Sequence, residues 1–116
     1  MFQGCKCNID YASRKNGNKP AEDFLSSLDK SAYAKFVALF QKLLESEDGK
    51  LSNRQKFKKL QGCDIWEFIS KPYRIFCFRH RNTWYLTNGF AKKSNNTQRK
   101  EIETAEAIRK EFLGSI

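Results

Sequence analysis

Residues 64–90 decide the fold of this chain, and they read DIWEFISKPYRIFCFRHRNTWYLTNGF. Aromatic and β-branched side chains, which are enriched in strands, are concentrated in the segments Asp64–Ile69, Tyr73–Arg79 and Thr83–Phe90. The short polar segments between them, residues 70–72 and 80–82, are typical of turns. The stretch therefore predicts three strands that form an antiparallel meander.

Four further elements flank this meander. Asn8–Tyr11 predicts a short strand, and Pro20–Leu28 predicts a short helix because proline fits the first helical turn. Apolar residues at helical spacing predict helices over Lys30–Glu47 and Gln98–Leu113, the latter with Thr97 as its N-cap. The order β-α-α-β-β-β-α predicts an α+β fold, with two N-terminal helices packed on one face of a small, mostly antiparallel sheet and a C-terminal helix. The other face of the sheet is expected to be free.

The positive charge of the chain is concentrated in its centre. The whole chain carries 22 Lys and Arg against 13 Asp and Glu, a net charge of +9. Residues 54–100 hold 12 of the basic residues and 2 of the acidic ones, a net charge of +10. Aromatic residues interleave with these cations, a mixture that suits binding to the phosphates and bases of nucleic acid. The alternative is a solvated, lysine-rich surface with the aromatic rings in the core.

The length of 116 residues predicts a single domain, residues 1–116. The longest apolar run, residues 36–40, is far shorter than the roughly 20 residues of a membrane-spanning helix. The N-terminus lacks the basic and apolar regions of a signal peptide. We therefore expect a cytoplasmic protein that has reduced cysteines and does not contact a membrane.

Few residues could support familiar hydrolytic or metal chemistry. His80 is the sole histidine of the sequence, which also lacks G-x-S-x-G and Walker A motifs. The basic segment has only Asp64 and Glu67 as carboxylates, too few for a typical magnesium-dependent nuclease. The four cysteines lack the paired spacing of a zinc site. We expect neither a metal nor a cofactor.

The basic segment could instead cleave RNA without a metal. Such cleavage needs a base for the 2′-hydroxyl, cations for the phosphorane and an acid for the departing 5′-oxygen. Arg74 begins a predicted strand, a rigid position for a guanidinium that contacts phosphate, and Lys92 and Lys93 follow the last strand. Glu67 is either a possible base or the cross-strand partner of an Arg or Lys.

Several motifs resemble those of the RelE/ParE superfamily of toxins, and more narrowly its HigB-like, phage-derived branch. They are residues 15–20 (KNGNKP), 58–62 (KKLQG), 65–68 (IWEF), 73–78 (YRIFCF) and 89–94 (GFAKKS), with Glu101, Ile102 and Ala105. The resemblance implies a RelE-like fold and the toxin of a type II toxin–antitoxin pair, a ribosome-dependent endoribonuclease that cuts mRNA. Its partners would be mRNA, the ribosome and a helix-turn-helix antitoxin, through which alone it would contact operator DNA.

The resemblance also implies roles for individual residues. Arg74 matches the strand arginine that stabilises the phosphate in RNA-cleaving members, and Lys92 and Lys93 lie where those members place a second cationic group. With Glu67 they form the predicted catalytic set. The predicted RNA-binding set, which would dock on ribosomal RNA, consists of Arg54, Lys56, Lys58, Lys59, Arg79 and Arg81.

Two departures from the family pattern keep other functions open. Ile65 and Glu67 occupy the positions of the paired strand lysines of RelE-like members, and the last predicted helix has no tyrosine. The general acid and base therefore remain unassigned. The alternatives are a non-enzymatic, ParE-like inhibitor of gyrase and a nontoxic, phage-derived protein that binds nucleic acid.

Overall fold

The computed structural model describes residues 2–116, in which three helices pack on a six-stranded sheet. The elements are β1 (Phe2–Gln3), β2 (Asn8–Tyr11), α1 (Pro20–Ser27), α2 (Lys30–Glu45), β3 (Phe57–Lys59), β4 (Trp66–Ser70), β5 (Tyr73–His80), β6 (Thr83–Ala91) and α3 (Asn95–Gly114). The predicted α+β class is confirmed, and the arrangement is consistent with a RelE-like fold.

The sheet has the strand order β1-β2-β6-β5-β4-β3. Strands β2 and β6 run parallel, while all other neighbouring strands in this sheet are antiparallel. The predicted meander is present as β4, β5 and β6. The sequence did not predict β1 and β3, because strands of two and three residues are too short to show an alternating pattern.

Helices α1 and α2 cover one face of the sheet. The apolar residues of α2 recur at helical spacing, so that Phe36, Phe40 and Leu43 are all fully buried. They pack in one cluster with sheet residues such as Phe68 and Trp84. The carboxylate of Asp29 caps α2 by accepting a hydrogen bond of 2.8 Å from the Ala32 amide.

The prediction that the second face is free is wrong, because α3 packs on it over β5 and β6. Ala105 and Ile108 of α3 are buried with Phe76, Phe78 and Phe90 of those strands. Burial of this apolar stripe removes from water a surface that a detached helix would expose. We call the two sides of the sheet the α1/α2 face and the α3 face.

The predicted N-cap of the last helix is also wrong. The helix begins at Asn95, and Ser94 is its N-cap, because the Ser94 hydroxyl accepts a hydrogen bond of 3.2 Å from the Thr97 amide. The pair of asparagines at 95 and 96, which are weak helix formers, hid this first turn from the sequence pattern.

A β-bulge interrupts the pairing of β5 with β6. Leu86 lies opposite Cys77 and Gly89 lies opposite Ile75, so Thr87 and Asn88 together face the single residue Phe76. The extra residue reverses the alternation of β6. Its even-numbered residues lie on the α1/α2 face before the bulge (Trp84, Leu86) and on the α3 face after it (Phe90). The bulge therefore decides which side chains beyond it point toward α3.

Within residues 2–116, no helix is long and apolar enough to cross a membrane.

Candidate functional site

A buried carboxylate lies on the α3 face of β4. Glu67 alternates with Trp66 and Phe68, which belong to the α1/α2 face, so its side chain points to the opposite side. Its side chain is 2% exposed. Glu67 lies directly opposite Lys58 of β3, and the Lys58 Nζ atom is 3.7 Å from Glu67 Oε1. Of the two roles predicted for Glu67, the geometry favours the cross-strand partner over a base in contact with RNA.

Arg74 approaches the same carboxylate from β5. Its Nε atom is 3.8 Å from Glu67 Oε2, and its side chain is 11% exposed. Arg74 Nη1 donates a weak hydrogen bond of 3.4 Å to the carbonyl oxygen of Tyr73. The guanidinium is thus held between a carboxylate and its own strand, with limited access to solvent.

The end of β6 brings a third cation to this cluster. The Lys92 amide donates a 2.9 Å hydrogen bond to the carbonyl oxygen of Pro72, which continues the pairing of β5 with β6 beyond Ala91. Lys92 is two residues beyond Phe90 and therefore points to the α3 face, and its charge acts on Glu67. Lys93 is exposed and is followed by the N-terminus of α3, the positive end of that helix.

Burial and charge act in opposite directions on Glu67. Burial raises the pKa of this carboxyl above its ordinary value, while Lys58, Arg74 and Lys92 lower it in part. Glu67 Oε2 is buried and accepts no hydrogen bond from the described residues. Buried charges that are incompletely satisfied destabilise a fold, and they are retained most often at functional sites. We define the cation cluster as Glu67, Lys58, Arg74 and Lys92.

The predicted RNA-binding residues form two groups in the structure. Four lie on or just before edge strand β3, and the other two, Arg79 and Arg81, lie at the far end of the sheet. Lys58 joins the cation cluster, and Lys59 lies next to it on edge strand β3, with its Nζ atom 3.9 Å from Asp64 Oδ1. Arg54 and Lys56 are exposed just before β3. Arg81 lies at the far end of the sheet, in the turn between β5 and β6.

Arg79 differs from Arg74 although both lie on β5. They are five positions apart, with four residues between them, so they lie near opposite ends of the strand and on opposite faces. The Arg79 guanidinium lies over the Trp84 ring, 5.4 Å from its centroid, and Nη1 donates a hydrogen bond of 3.1 Å to the Asp48 carbonyl oxygen. Arg79 thus fastens the loop that follows α2 and does not join the cation cluster.

Sequence reasoning missed a polar network that anchors α3 beside the cluster. Asn88 Nδ2 donates to the backbone carbonyl and to the side chain of Glu101, at 3.2 and 3.0 Å. The Thr87 hydroxyl contacts Asn88 Oδ1 at 2.7 Å and the Phe76 carbonyl oxygen at 3.1 Å. The Asn88-Gly89 pair inside a strand pattern was the available signal, because such residues often mark a bulge.

Two of the four cysteines belong to the core, while Cys5 is exposed and Cys63 is half-buried. Cys7 and Cys77 are buried, and burial raises the pKa of both thiols, which keeps them protonated at neutral pH. Among the residues that the structure describes, no three His, Cys, Asp or Glu side chains are grouped so that they could hold a metal ion.

Comparison with protein families gives one match. The model of the family described as "Phage derived protein Gp49-like (DUF891)" matches residues 23–110, which include α2, β3–β6 and the whole cation cluster. A search of curated proteins finds no match. The Gp49-like family is part of the RelE/ParE-like toxin superfamily. The predicted superfamily is therefore confirmed, and the HigB-like branch within it stays a prediction.

Proposed function

The chain belongs to the Gp49-like family of phage-derived proteins, and from this premise we propose that it is the toxin of a type II toxin–antitoxin pair. Its activity would be that of an endoribonuclease that cuts mRNA on the ribosome, as in HigB-like members. The cation cluster is the observation that carries this proposal. It holds Lys58, Arg74 and Lys92 around one carboxylate, which leaves an excess of positive charge.

Rigid placement makes these cations suitable for catalysis. Lys58 and Arg74 lie on β3 and β5, the two strands that flank β4, and the backbone of Lys92 is fixed by its hydrogen bond to Pro72. When the 2′-oxygen of RNA attacks the neighbouring phosphorus, a new P–O bond forms while the bond to the 5′-oxygen breaks. Negative charge then accumulates on the phosphate oxygens. Fixed cations stabilise that charge without having to reorganise during the reaction.

We assign distinct roles within the site. Arg74 is the primary group for the phosphorane, because a guanidinium can donate two parallel hydrogen bonds to it. Lys92 and Lys93 supply the second cationic position. Glu67 is a positioning residue, since a side chain 2% exposed orients Arg74 and Lys58 without reaching the substrate.

The proposed partners follow from this assignment. In the cytoplasm, mRNA and the ribosome would be the target, and Arg54, Lys56, Lys59 and Arg81 would dock on ribosomal RNA. A cognate helix-turn-helix antitoxin would hold the toxin inactive and carry the complex to operator DNA.

The test is to induce the chain in bacteria and map new mRNA 5′ ends. The proposal expects codon-phased ends and growth arrest for the wild type. Arg74→Ala should reduce cleavage about 100- to 1,000-fold, the usual effect of removing one transition-state donor. Growth arrest with a DNA-damage response and no new mRNA ends would overturn the proposal in favour of gyrase inhibition.

Controls separate chemistry from folding. Because Arg74→Ala leaves the Glu67 charge less compensated, the double variant Glu67→Gln/Arg74→Ala should be equally inactive and still fold, as circular dichroism would show. Lys92→Ala/Lys93→Ala should also abolish cleavage. The matched control is Lys30→Ala/Lys35→Ala, which removes two exposed lysines from α2 and should stay fully active.

A further inference from the structure

A second basic site lies on the opposite side of edge strand β3. A groove with a volume of about 470 Å³ opens between the loop after α2 and strands β3 and β4. Its size falls within the range of roughly 300–1,000 Å³ that is common for ligand sites. The charged residues that line it are Asp48, Lys50, Arg54, Lys58 and Lys59. Four cations against one carboxylate give the groove a net charge of +3 and favour an anionic occupant.

Trp66 forms the aromatic wall of this groove. Its ring stacks on Phe57, with the centroids 5.1 Å apart and the planes at 19°. The ammonium of Lys50 lies 5.2 Å from the Trp66 centroid. Because Phe57 fills one side of the ring, Lys50 covers the other. Lys50 is exposed, so an arriving aromatic group can take its place over the ring.

The combination of stacking surface and cations identifies the occupant. Any of the four nucleobases can stack on tryptophan, and the adjoining phosphates attract Lys50 and Arg54. The ion pair of Lys59 with Asp64 is exposed and therefore weak, so Lys59 is also available for phosphate. An acidic peptide would use the cations but not the ring.

We propose that this groove binds single-stranded RNA next to the cleavage site, with a base stacked on Trp66. The inference rests on the proposed function, which supplies RNA as the substrate. Lys58 links the two sites, because it lines the groove and also pairs with Glu67 of the cation cluster. An RNA strand that crosses the β3 edge would place one nucleotide at Arg74 and another at Trp66.

Tryptophan fluorescence tests the proposal directly. The chain has two tryptophans, and Trp84 is fully buried with its Nε1 bonded to the Gly49 carbonyl oxygen at 2.8 Å. Quenching by RNA therefore reports on Trp66. The full-length Arg74→Ala variant, which should not cleave, is titrated with a ten-nucleotide uridine-rich RNA and with an abasic strand of equal length. We expect quenching by the RNA and none by the abasic strand.

Substitutions in the groove give the second readout, measured as Kd by fluorescence anisotropy of labelled RNA. Trp66→Ala should weaken binding about 5- to 150-fold, the usual contribution of one stacked base. Trp66→Phe keeps a ring and the packing on Phe57, so it should retain most affinity but lose the quenching. Lys50→Glu/Arg54→Glu should weaken binding more and reduce its salt dependence. Lys30→Glu/Lys35→Glu, with the same change of charge on α2, should bind as the parent does.

Three outcomes would overturn the inference. They are quenching that survives in Trp66→Phe, equal quenching by the abasic strand, and tighter binding of a polyglutamate peptide than of RNA. The last would identify an acidic protein as the occupant. Failure of the nuclease proposal is distinguishable, because wild-type protein would then leave mRNA intact while RNA still quenched Trp66. Conversely, if the wild type cleaves mRNA but RNA does not quench Trp66, only the proposal that the groove binds RNA is rejected.

Discussion

The two faces of the sheet differ in what they bury. The α1/α2 face encloses apolar side chains, many of them aromatic, among them Phe40, Phe68 and Trp84. The α3 face buries apolar residues as well, but it also holds Glu67 and the network of Asn88 with Glu101. Apolar burial stabilises a fold, whereas a buried charge rarely does so on balance.

This difference separates stability from activity. We expect substitutions on the α1/α2 face to change the free energy of unfolding and leave the chemistry of folded molecules intact. Substitutions in the cation cluster should change the chemistry and, through Glu67, the pH dependence of stability. Three predictions test this division.

The largest effect on stability is expected for Phe40→Ala. Phe40 is fully buried, and its ring lies 5.0 Å from that of Phe68 and 5.3 Å from that of Phe2. Truncation should reduce the free energy of unfolding by about 3–5 kcal/mol, measured by urea denaturation. Phe40→Leu, which retains more of the side-chain volume, should reduce the free energy of unfolding by less. If Phe40→Ala lowered cleavage per folded molecule, the division between the faces would fail.

A smaller effect, with a distinctive pH dependence, is expected for Glu67→Gln. Because burial raises the Glu67 pKa in the folded state, the native protein holds this proton more tightly than the unfolded chain does. The stability that this proton contributes is fully present below the unfolded-state pKa and is lost as pH rises through the folded-state pKa. Wild type should therefore lose stability relative to Glu67→Gln as pH rises above the unfolded-state pKa of about 4.3.

Denaturation of both proteins at several pH values measures this difference. Lys58, Arg74 and Lys92 are the charged groups that face Glu67, and each lowers its pKa in part. A difference that is constant with pH would mean that the three cations balance the burial of Glu67, and one that favours the wild type as pH rises would mean that they outweigh it.

The smallest effect is expected at the start of α3. Ser94→Ala removes the hydroxyl that caps the helix and should reduce the free energy of unfolding by about 1 kcal/mol. Ser94→Asp keeps an acceptor at the N-cap, so its free energy of unfolding should be close to that of the wild type. Equal stability of all three proteins in thermal denaturation would show that α3 is held by its packing on β5 and β6 alone.

Most secondary structure was predictable, because strong patterns mark it. The apolar spacing of α2 and the aromatic strands β4–β6 led to boundaries close to those observed. Strand β3 has only the residues Phe57, Lys58 and Lys59, too few for a pattern, so the pairing of Lys58 with Glu67 stayed hidden. The amphipathic pattern of α3 showed which of its sides is apolar, but it could not show which face of the sheet receives that side.

The site was predictable only in part for the same reason. Arg74 and Lys92 were identified by their places at the ends of predicted strands and by the resemblance of these stretches to family motifs. Their approach to one carboxylate depends on strand register, which a single sequence does not specify. Trp66 was identified as part of a motif, but its stack with Phe57 and Lys50 requires β3 and the loop after α2 to be in place.

The bulge at Thr87 and Asn88 decides where β6 can lose a residue without reorienting its end. Both residues lie opposite Phe76, so deleting one of them would restore simple alternation and leave Phe90 and Lys92 on the α3 face. Deleting a residue between the bulge and Lys92 would instead turn Lys92 toward the α1/α2 face and bring Lys93 to the side of Arg74. Because the two lysines are adjacent, either deletion would leave one ammonium group beside Arg74.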